Sequence, residues 1–230
     1  VKQQKKIFIT GTDTEVGKTF FTASLIHALQ NAQHSVRAFK PIAAGCELEN
    51  GQFKNEDALA LMQAMTLPTV YEQVNPIALQ RPIAPHIAAK MEGMALSVEQ
   101  LQQLVPLASI DESFILVEGA GGWLVPLNEQ QTFADYVAAE NLAVVLVVGL
   151  KLGCINHALL TQESIKAAGL ELVGWVANHI DPEMLNQQQN IETLNSLLDC
   201  PMLAELPFFT EDNSVELASR CVRIEHLVDS

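Results

Sequence analysis

The chain has 230 residues, 49% of them hydrophobic, which is enough for one α/β domain (residues 1–230) with a full core and too apolar for disorder. Its formal net charge of −14 disfavours nonspecific binding to nucleic acid or to an anionic membrane, and no apolar run is long enough to span a bilayer. Cys46, Cys154, Cys200 and Cys221 are dispersed without metal-ligand spacing, the histidines are scattered, and Val1 to Lys6 lead into a strand rather than a signal-peptide core, so a cytoplasmic protein without a structural metal is expected.

Taken in chain order, the first buried-strand candidate is Lys6–Thr10. It breaks at Gly11, turns through Thr12-Asp13-Thr14-Glu15-Val16 and ends in Gly17-Lys18-Thr19, ahead of a helix over Thr19–Asn31. This is the layout of a phosphate-binding loop between a strand and a helix, and it implies a nucleoside triphosphate with Mg²⁺. Backbone N–H groups there favour an anion, Lys18 adds charge against the β- and γ-phosphates, and the Thr19 hydroxyl suits Mg²⁺. Five residues separate Gly11 from Gly17, one more than in the general motif.

A second strand over Val36–Lys40 ends in Lys40-Pro41-Ile42-Ala43-Ala44-Gly45. The proline biases Lys40 towards extended backbone, which leaves it either a cation for a transferring phosphoryl group or a solvated lysine at a strand end. From Pro41 to Pro106 only short helical patterns appear, among them Asp57–Met65 and Ser97–Val105. On local physics Asp57 is a helix cap or first-turn acid before it is a metal ligand.

The strand Phe114–Glu118 runs into Gly119-Ala120-Gly121-Gly122-Trp123. A carboxylate at the end of a buried strand before flexible glycines is placed to complete a Mg²⁺ shell. A helix over Phe133–Glu140 precedes the strand Ala143–Gly149. The following Lys151-Leu152-Gly153-Cys154-Ile155-Asn156-His157 opens the helix Ile155–Ala168, either as an anion site at a helix N-terminus or as a plain βα turn. The strand Leu172–Asn178 ends in an Asn that can read a base edge or form a turn. A helix over Pro182–Leu198, a weaker strand at Met202–Leu206 and a last helix over Val215–Leu227 complete the chain. Alternating strands and helices with strands apolar throughout indicate a doubly wound, mostly parallel sheet with helices on both faces, and such sheets bind ligands at the carboxyl ends of their strands.

Several strings together resemble the ATP-dependent dethiobiotin synthetase family of phosphate-loop proteins. They are Gly11-Thr-Asp-Thr-Glu-Val-Gly-Lys-Thr19, Lys40-Pro41, Asp57-Ala-Leu-Ala-Leu61, Val117-Glu-Gly-Ala-Gly-Gly-Trp123, Val148-Gly-Leu-Lys-Leu-Gly-Cys-Ile-Asn-His157 and Gly174-Trp-Val-Ala-Asn178. The resemblance spans roughly residues 6–207. It implies an ATP- and Mg²⁺-dependent enzyme that carboxylates 7,8-diaminopelargonic acid with CO₂ or bicarbonate. The carbamate is activated as a carbamic–phosphoric anhydride, and the second amine closes the cyclic urea of dethiobiotin.

Carried over by position, the resemblance implies that Thr14, Glu15, Val16, Gly17, Lys18, Thr19 and Phe20 cradle the phosphates. Asp57, Glu118, Gly119, Ala120 and Gly121 line the same nucleotide site, with Thr19, Asp57 and Glu118 holding Mg²⁺. Lys18 and Lys40 become the catalytic cations. Asn178 and His179, with Pro207, Phe208 and Phe209, border the adenine. Gly153, Cys154, Ile155 and Asn156 anchor the substrate's distant carboxylate from a neighbouring subunit, which implies a homodimer. The family commonly has Ser where Ala44 stands at the substrate, so a hydrogen bond worth about 1 kcal/mol is expected to be missing.

The alternatives are a septum- or partitioning-type ATPase switch and another carboxylate-activating ligase of the same superfamily. The first lacks support because Thr12-Asp13-Thr14 occupies the place of its signature lysine. The second would normally need an ammonia source.

Overall fold

The computed structural model describes residues 4–209 and 214–228. In chain order the elements are β1 (Lys5–Gly11), α1 (Lys18–Asn31), β2 (Val36–Phe39), β3 (Ile42–Ala44), β4 (Glu47–Glu49), β5 (Gln52–Lys54), α2 (Glu56–Ala64), α3 (Tyr71–Val74), β6 (Ile77–Leu79), α4 (Pro85–Met91) and α5 (Val98–Leu104). A 3₁₀ turn at Leu107–Ser109 leads to β7 (Phe114–Glu118), α6 (Phe133–Ala139), β8 (Ala143–Gly149), α7 (Cys154–Ala167), β9 (Leu172–Asn178), α8 (Gln187–Leu197), β10 (Met202–Leu206), α9 (Ser214–Ser219) and α10 (Glu225–Val228).

Six of the strands form one parallel sheet in the order β10-β9-β8-β1-β7-β2. The strands are apolar along their length because both faces are covered. In β1, Ile7 and Ile9 pack with α1 residues on one face, while Phe8 points the other way, against Trp123 and Phe133. Helix α1 is buried nearly all round, between the sheet and α2 and α9. Its buried Thr22 and Ser24 hydroxyls are satisfied by the carbonyls of Lys18 and Phe20, one turn back. The order places β1 between β7 and β8, with the chain leaving β1 towards the β2 edge. The loop after β1 therefore opens at a switch point of the sheet.

Three sequence expectations need correction. The stretch from Pro41 to Pro106 contains strands as well as short helices: β3 pairs in parallel with β6 (Ile42 opposite Ile77), and β4–β5 is a hairpin. The hairpin turns on Asn50-Gly51, both with positive φ (51° and 84°), the conformation a tight right-twisting hairpin requires. Helix α8 begins at Gln187 and not at Pro182, because Asp181 holds a turn: its carboxylate accepts from Glu183 N–H and its carbonyl from Met184 N–H and the Gln187 amide. The last helix is two pieces, α9 and α10. Between them Arg223 N–H turns away to the Leu203 carbonyl of β10 at 2.7 Å.

Candidate functional site

β1 delivers the chain to its loop with Thr12 N–H held by the Val147 carbonyl of β8. Val16 is fully buried and anchors the middle of the loop in the core. Glu15 and Gly17 both adopt positive φ (59° and 86°), which bends the backbone over the start of α1. Gly17 has a second constraint: a Cβ there would lie 2.1 Å from Asn178 Nδ2. That amide nitrogen donates to the Val16 carbonyl at 2.9 Å, so the end of β9 is tied to the phosphate loop. Lys18 is buried and folds back to donate to the Asp13 carbonyl at 3.1 Å. Burial, and then the Lys40 charge, lower its pKa to about 8. Asp13 in turn pairs with Lys151 Nζ at 2.8 Å and accepts from Thr14 N–H. The Lys151 hydrogen bond holds the Asp13 carboxyl below its ordinary range.

Lys40, Asp57, Glu118 and Thr19 meet at the carboxyl ends of β2 and β7. Lys40 Nζ lies 2.6 Å from Glu118 Oε1 and 3.0 Å from Asp57 Oδ2, and it donates to the Gly119 carbonyl at 3.0 Å. Thr19 Oγ1 donates to the same Glu118 Oε1 at 2.7 Å. Burial by itself would lower the Lys40 pKa, but the charges of Glu118 and Asp57 outweigh it and raise it. Burial would likewise raise the Asp57 pKa, but Lys40 and hydrogen bonding with Thr19 hold it below the ordinary aspartate value. Asp57 is not the helix cap. Asn55 is: its side chain accepts from Asp57 N–H, which leaves the Asp57 carboxylate free to face Lys40.

Glu118 is completely buried, and among the described residues its second oxygen, Oε2, accepts no hydrogen bond. An orphaned carboxylate oxygen in a dry site is costly unless a cation completes it. With the Thr19 hydroxyl and Asp57 alongside, the donor set is hard oxygen only, which fits Mg²⁺. Among the described residues no cluster of three or more His, Cys, Asp or Glu forms a metal cage. Two carboxylates and a hydroxyl are the partial shell expected where phosphates supply the remaining oxygens.

The remaining predicted residues fall around this centre. Gly119, Ala120 and Gly121 follow Glu118, and a Cβ at Gly119 would press to 2.8 Å on Phe8 Cζ. Gly121 has positive φ and lies against Val125 and the Thr14 hydroxyl. On the far side of the loop His179 is held between Gln187 and Glu205. Pro207 and Phe208 are exposed, while Phe209 packs against Phe20 in a tilted pair, ring centroids 5.6 Å apart and planes at 53°. Ala44 sits half-buried in β3, opposite Leu79. Gly153 caps α7 with φ 93° in open space, Cys154 is buried, Ile155 is half-buried and Asn156 faces solvent. Beside that turn Leu152 is 97% exposed and Leu160 63% exposed. Two features escaped the sequence reading: the Asp13–Lys151 ion pair, whose members are distant in sequence, and a buried Asn55–Tyr71–Asn75 network behind Lys40.

A family model described as "AAA domain" matches residues 5–213. The ATP-dependent dethiobiotin synthetase BioD of Alteromonas mediterranea is 47% identical, covering 97% of this chain and 99% of its own length. That of Cellvibrio japonicus is 46% identical, covering 99% of each, and that of Vibrio cholerae is 42% identical, covering 97% and 96%. Among solved structures, the septum site-determining protein MinD of Pyrococcus horikoshii, complexed with Mg-ADP, matches with a TM-score of 0.58 at 17% identity, over 99% of this chain and 90% of that one. A ParA family ATPase from Chlorobium tepidum matches with a TM-score of 0.55 at 14% identity, over 99% and 94%. These structural likenesses carry the fold alone, that of phosphate-loop nucleotide-binding proteins. The near-full-length identities carry more: the chain belongs to the ATP-dependent dethiobiotin synthetase family.

Proposed function

We propose that this chain carboxylates 7,8-diaminopelargonic acid and closes it to dethiobiotin at the expense of ATP, with Mg²⁺, as a homodimer in the cytoplasm. The observation that carries the reading is the buried cluster beside the phosphate loop, in which Lys40 is shared by Glu118 and Asp57 and one Glu118 oxygen has no donor among the described residues. Thr19, Asp57 and Glu118 would hold Mg²⁺, which when bound supplies charge neutralisation for the β- and γ-phosphates.

The chain's own residues do the rest. Backbone N–H groups of the loop and the Lys18 ammonium hold the transferring phosphoryl group, and an anion placed there favours the charged form of Lys18 against the burial that lowers its pKa. The Lys40 ammonium, with its pKa raised by two carboxylates, stays charged and neutralises the carbamate and the oxygens of the migrating group. A carbamate is a poor acyl donor until phosphate turns its oxygen into a leaving group. Cations fixed in a dry pocket therefore act where charge develops. Asn178 lies beside the loop and would present its remaining amide hydrogen and oxygen to the adenine, with Phe20 and Phe209 beneath it.

Gly153 to Asn156 would take the substrate's far carboxylate across a subunit interface. The exposed Leu152 and Leu160 next to that turn support burial against a second copy. The four cysteines are free, which suits a reducing compartment.

The test is a four-component assay. Phosphate release should require ATP, Mg²⁺, bicarbonate and the diamine together, with the cyclic urea detected by mass. Hydrolysis that runs equally fast without the diamine, or that responds instead to DNA or membrane, would overturn the reading.

A further inference from the structure

Lys40 lies one residue beyond the end of β2, so its backbone has left the main sheet and needs other partners. It finds both on one segment. Its N–H donates to the Val74 carbonyl at 2.9 Å, and its carbonyl accepts from Asn75 Nδ2 at 2.7 Å. Asn75 Nδ2 also donates to the Ile77 carbonyl at 3.2 Å. With the nitrogen committed to two carbonyls, Asn75 can only accept at Oδ1, and Tyr71 Oη lies 2.8 Å from that oxygen. The Tyr71 hydroxyl therefore donates to Asn75, and its lone pair receives Asn55 N–H at 2.7 Å. Asn55 Oδ1 then accepts Asp57 N–H at 3.1 Å. The result is a one-directional relay from Asp57 through Asn55, Tyr71 and Asn75 to Lys40. Its three middle members are buried.

The ends of this relay are the residues whose side chains meet in the site, Lys40 Nζ and Asp57 Oδ2 at 3.0 Å. Neither side chain is fixed by its own regular element alone: Lys40 follows a strand end and Asp57 sits in the first turn of a helix joined to β5 by Asn55 alone. Burial pushes the Tyr71 hydroxyl up to about 12, so the donor in the middle of the relay keeps its proton across the working pH range.

We infer that Tyr71 and Asn75 are positioning residues for the reaction: they clamp the Lys40 backbone and register it against the start of α2, and so set where the Lys40 ammonium stands relative to Asp57. The inference rests on the ligase reading above for its kinetic consequence, but its structural content does not. Ångström-scale displacement of a charge-stabilising group is enough to lower turnover by up to about 10²-fold while leaving ground-state nucleotide binding nearly unchanged.

Tyr71→Phe is the discriminating variant, since it removes one oxygen and strands Asn55 N–H and Asn75 Oδ1. At a temperature well below its unfolding midpoint, kcat for cyclic-urea formation should fall about tenfold, with KM for ATP within about twofold of wild type. In a Lys40→Gln background the same change should cost less than about twofold further, because the effect passes through Lys40. Independently of turnover, amide exchange at Asn55 and Lys40 should quicken about tenfold, with β1 and β7 unchanged. Wild-type kcat in Tyr71→Phe, a full loss persisting without Lys40, or exchange accelerated evenly across the sheet would each overturn the positioning role. If wild type makes no cyclic urea the ligase reading fails instead, and the exchange pattern still decides whether the relay holds Lys40.

Discussion

Replacing Lys40 with Met tests the electrostatic account of the site most directly. The two side chains have similar volume, so the substitution removes charge without opening a cavity. In the native protein the Lys40 side chain is 4% exposed and Glu118 is 0% exposed, 2.6 Å apart. Removing one partner of such a pair leaves an uncompensated buried charge, at a cost of about 3–5 kcal/mol. Lys18 lies close enough to interact with Glu118, which places the expectation at the lower end, about 3 kcal/mol. Asp57, with its side chain 36% exposed, adds little because solvent screens it.

The pH dependence follows from the signs. Asp57 has a lowered pKa, so its contribution is present above its unfolded value of 3.8 and is lost as pH falls. Lys40 has a raised pKa, so its contribution is present below 10.5 and is lost as pH rises through its folded value. Between those limits the wild-type pair is level. Urea unfolding should show a deficit of about 3 kcal/mol near pH 8. Adding Glu118→Gln should recover about 2 kcal/mol of it. A Lys40→Met protein as stable as wild type near pH 8, or no recovery on adding Glu118→Gln, would refute the argument.

Lys40→Gln should bind ATP within about threefold of wild type and lose about 10²–10³ in ring-closure rate, and unchanged turnover would remove Lys40 from the chemistry. Because the Lys18 pKa is lowered to about 8, ATP affinity should fall as pH rises past that value, with net proton uptake on binding seen as a buffer-dependent calorimetric heat; pH-independent affinity would contradict the Lys18 assignment. The same lowered pKa means the unfolded chain holds the extra proton between about 8 and 10.5, so this residue makes stability rise with pH in that window, opposite to Lys40. Gly17→Ala combines a positive φ with a clash on Asn178. It should cost about 1–3 kcal/mol and abolish nucleotide binding, read by equilibrium dialysis, while full binding would show that the loop tolerates another geometry.

The six strands of the main sheet were legible to within one or two residues, since each is an apolar run with a covered face on both sides. What failed was short or non-local. β3 and β6 are three residues each and pair across the span from Ile42 to Ile77, so neither carries a period of its own. The β4–β5 hairpin did carry a readable signal in Asn50-Gly51, but its strands are three residues each, one exposed and one half-buried, too short for their alternation to register. At Pro182 a residue suited to a helix start was overridden by Asp181, whose local turn contacts offer the following backbone an alternative to the helix.

Asp57 shows how the limit applies to function. Local physics offered two roles for an acid in a first turn, capping and ligation, and could not choose because both need the same residue in the same place. The structure separates them by giving the cap to Asn55, two residues earlier. That assignment has a consequence beyond the helix. The Asn55 N–H is then anchored by Tyr71, whose hydroxyl reaches Lys40 through the Asn75 side chain. A carboxylate that capped its own helix would be oriented by the helix alone. Freed from capping, Asp57 is oriented by the same hydrogen-bonded chain that holds its cationic partner, so the separation of the two charges is a property of the network and not of either element. The phosphate loop is a continuous string and reveals itself in sequence. The geometry beside it depends on five residues spread from Lys40 to Asn75, joined in all but one link by contacts to main-chain groups, and main-chain groups leave no trace in composition or spacing.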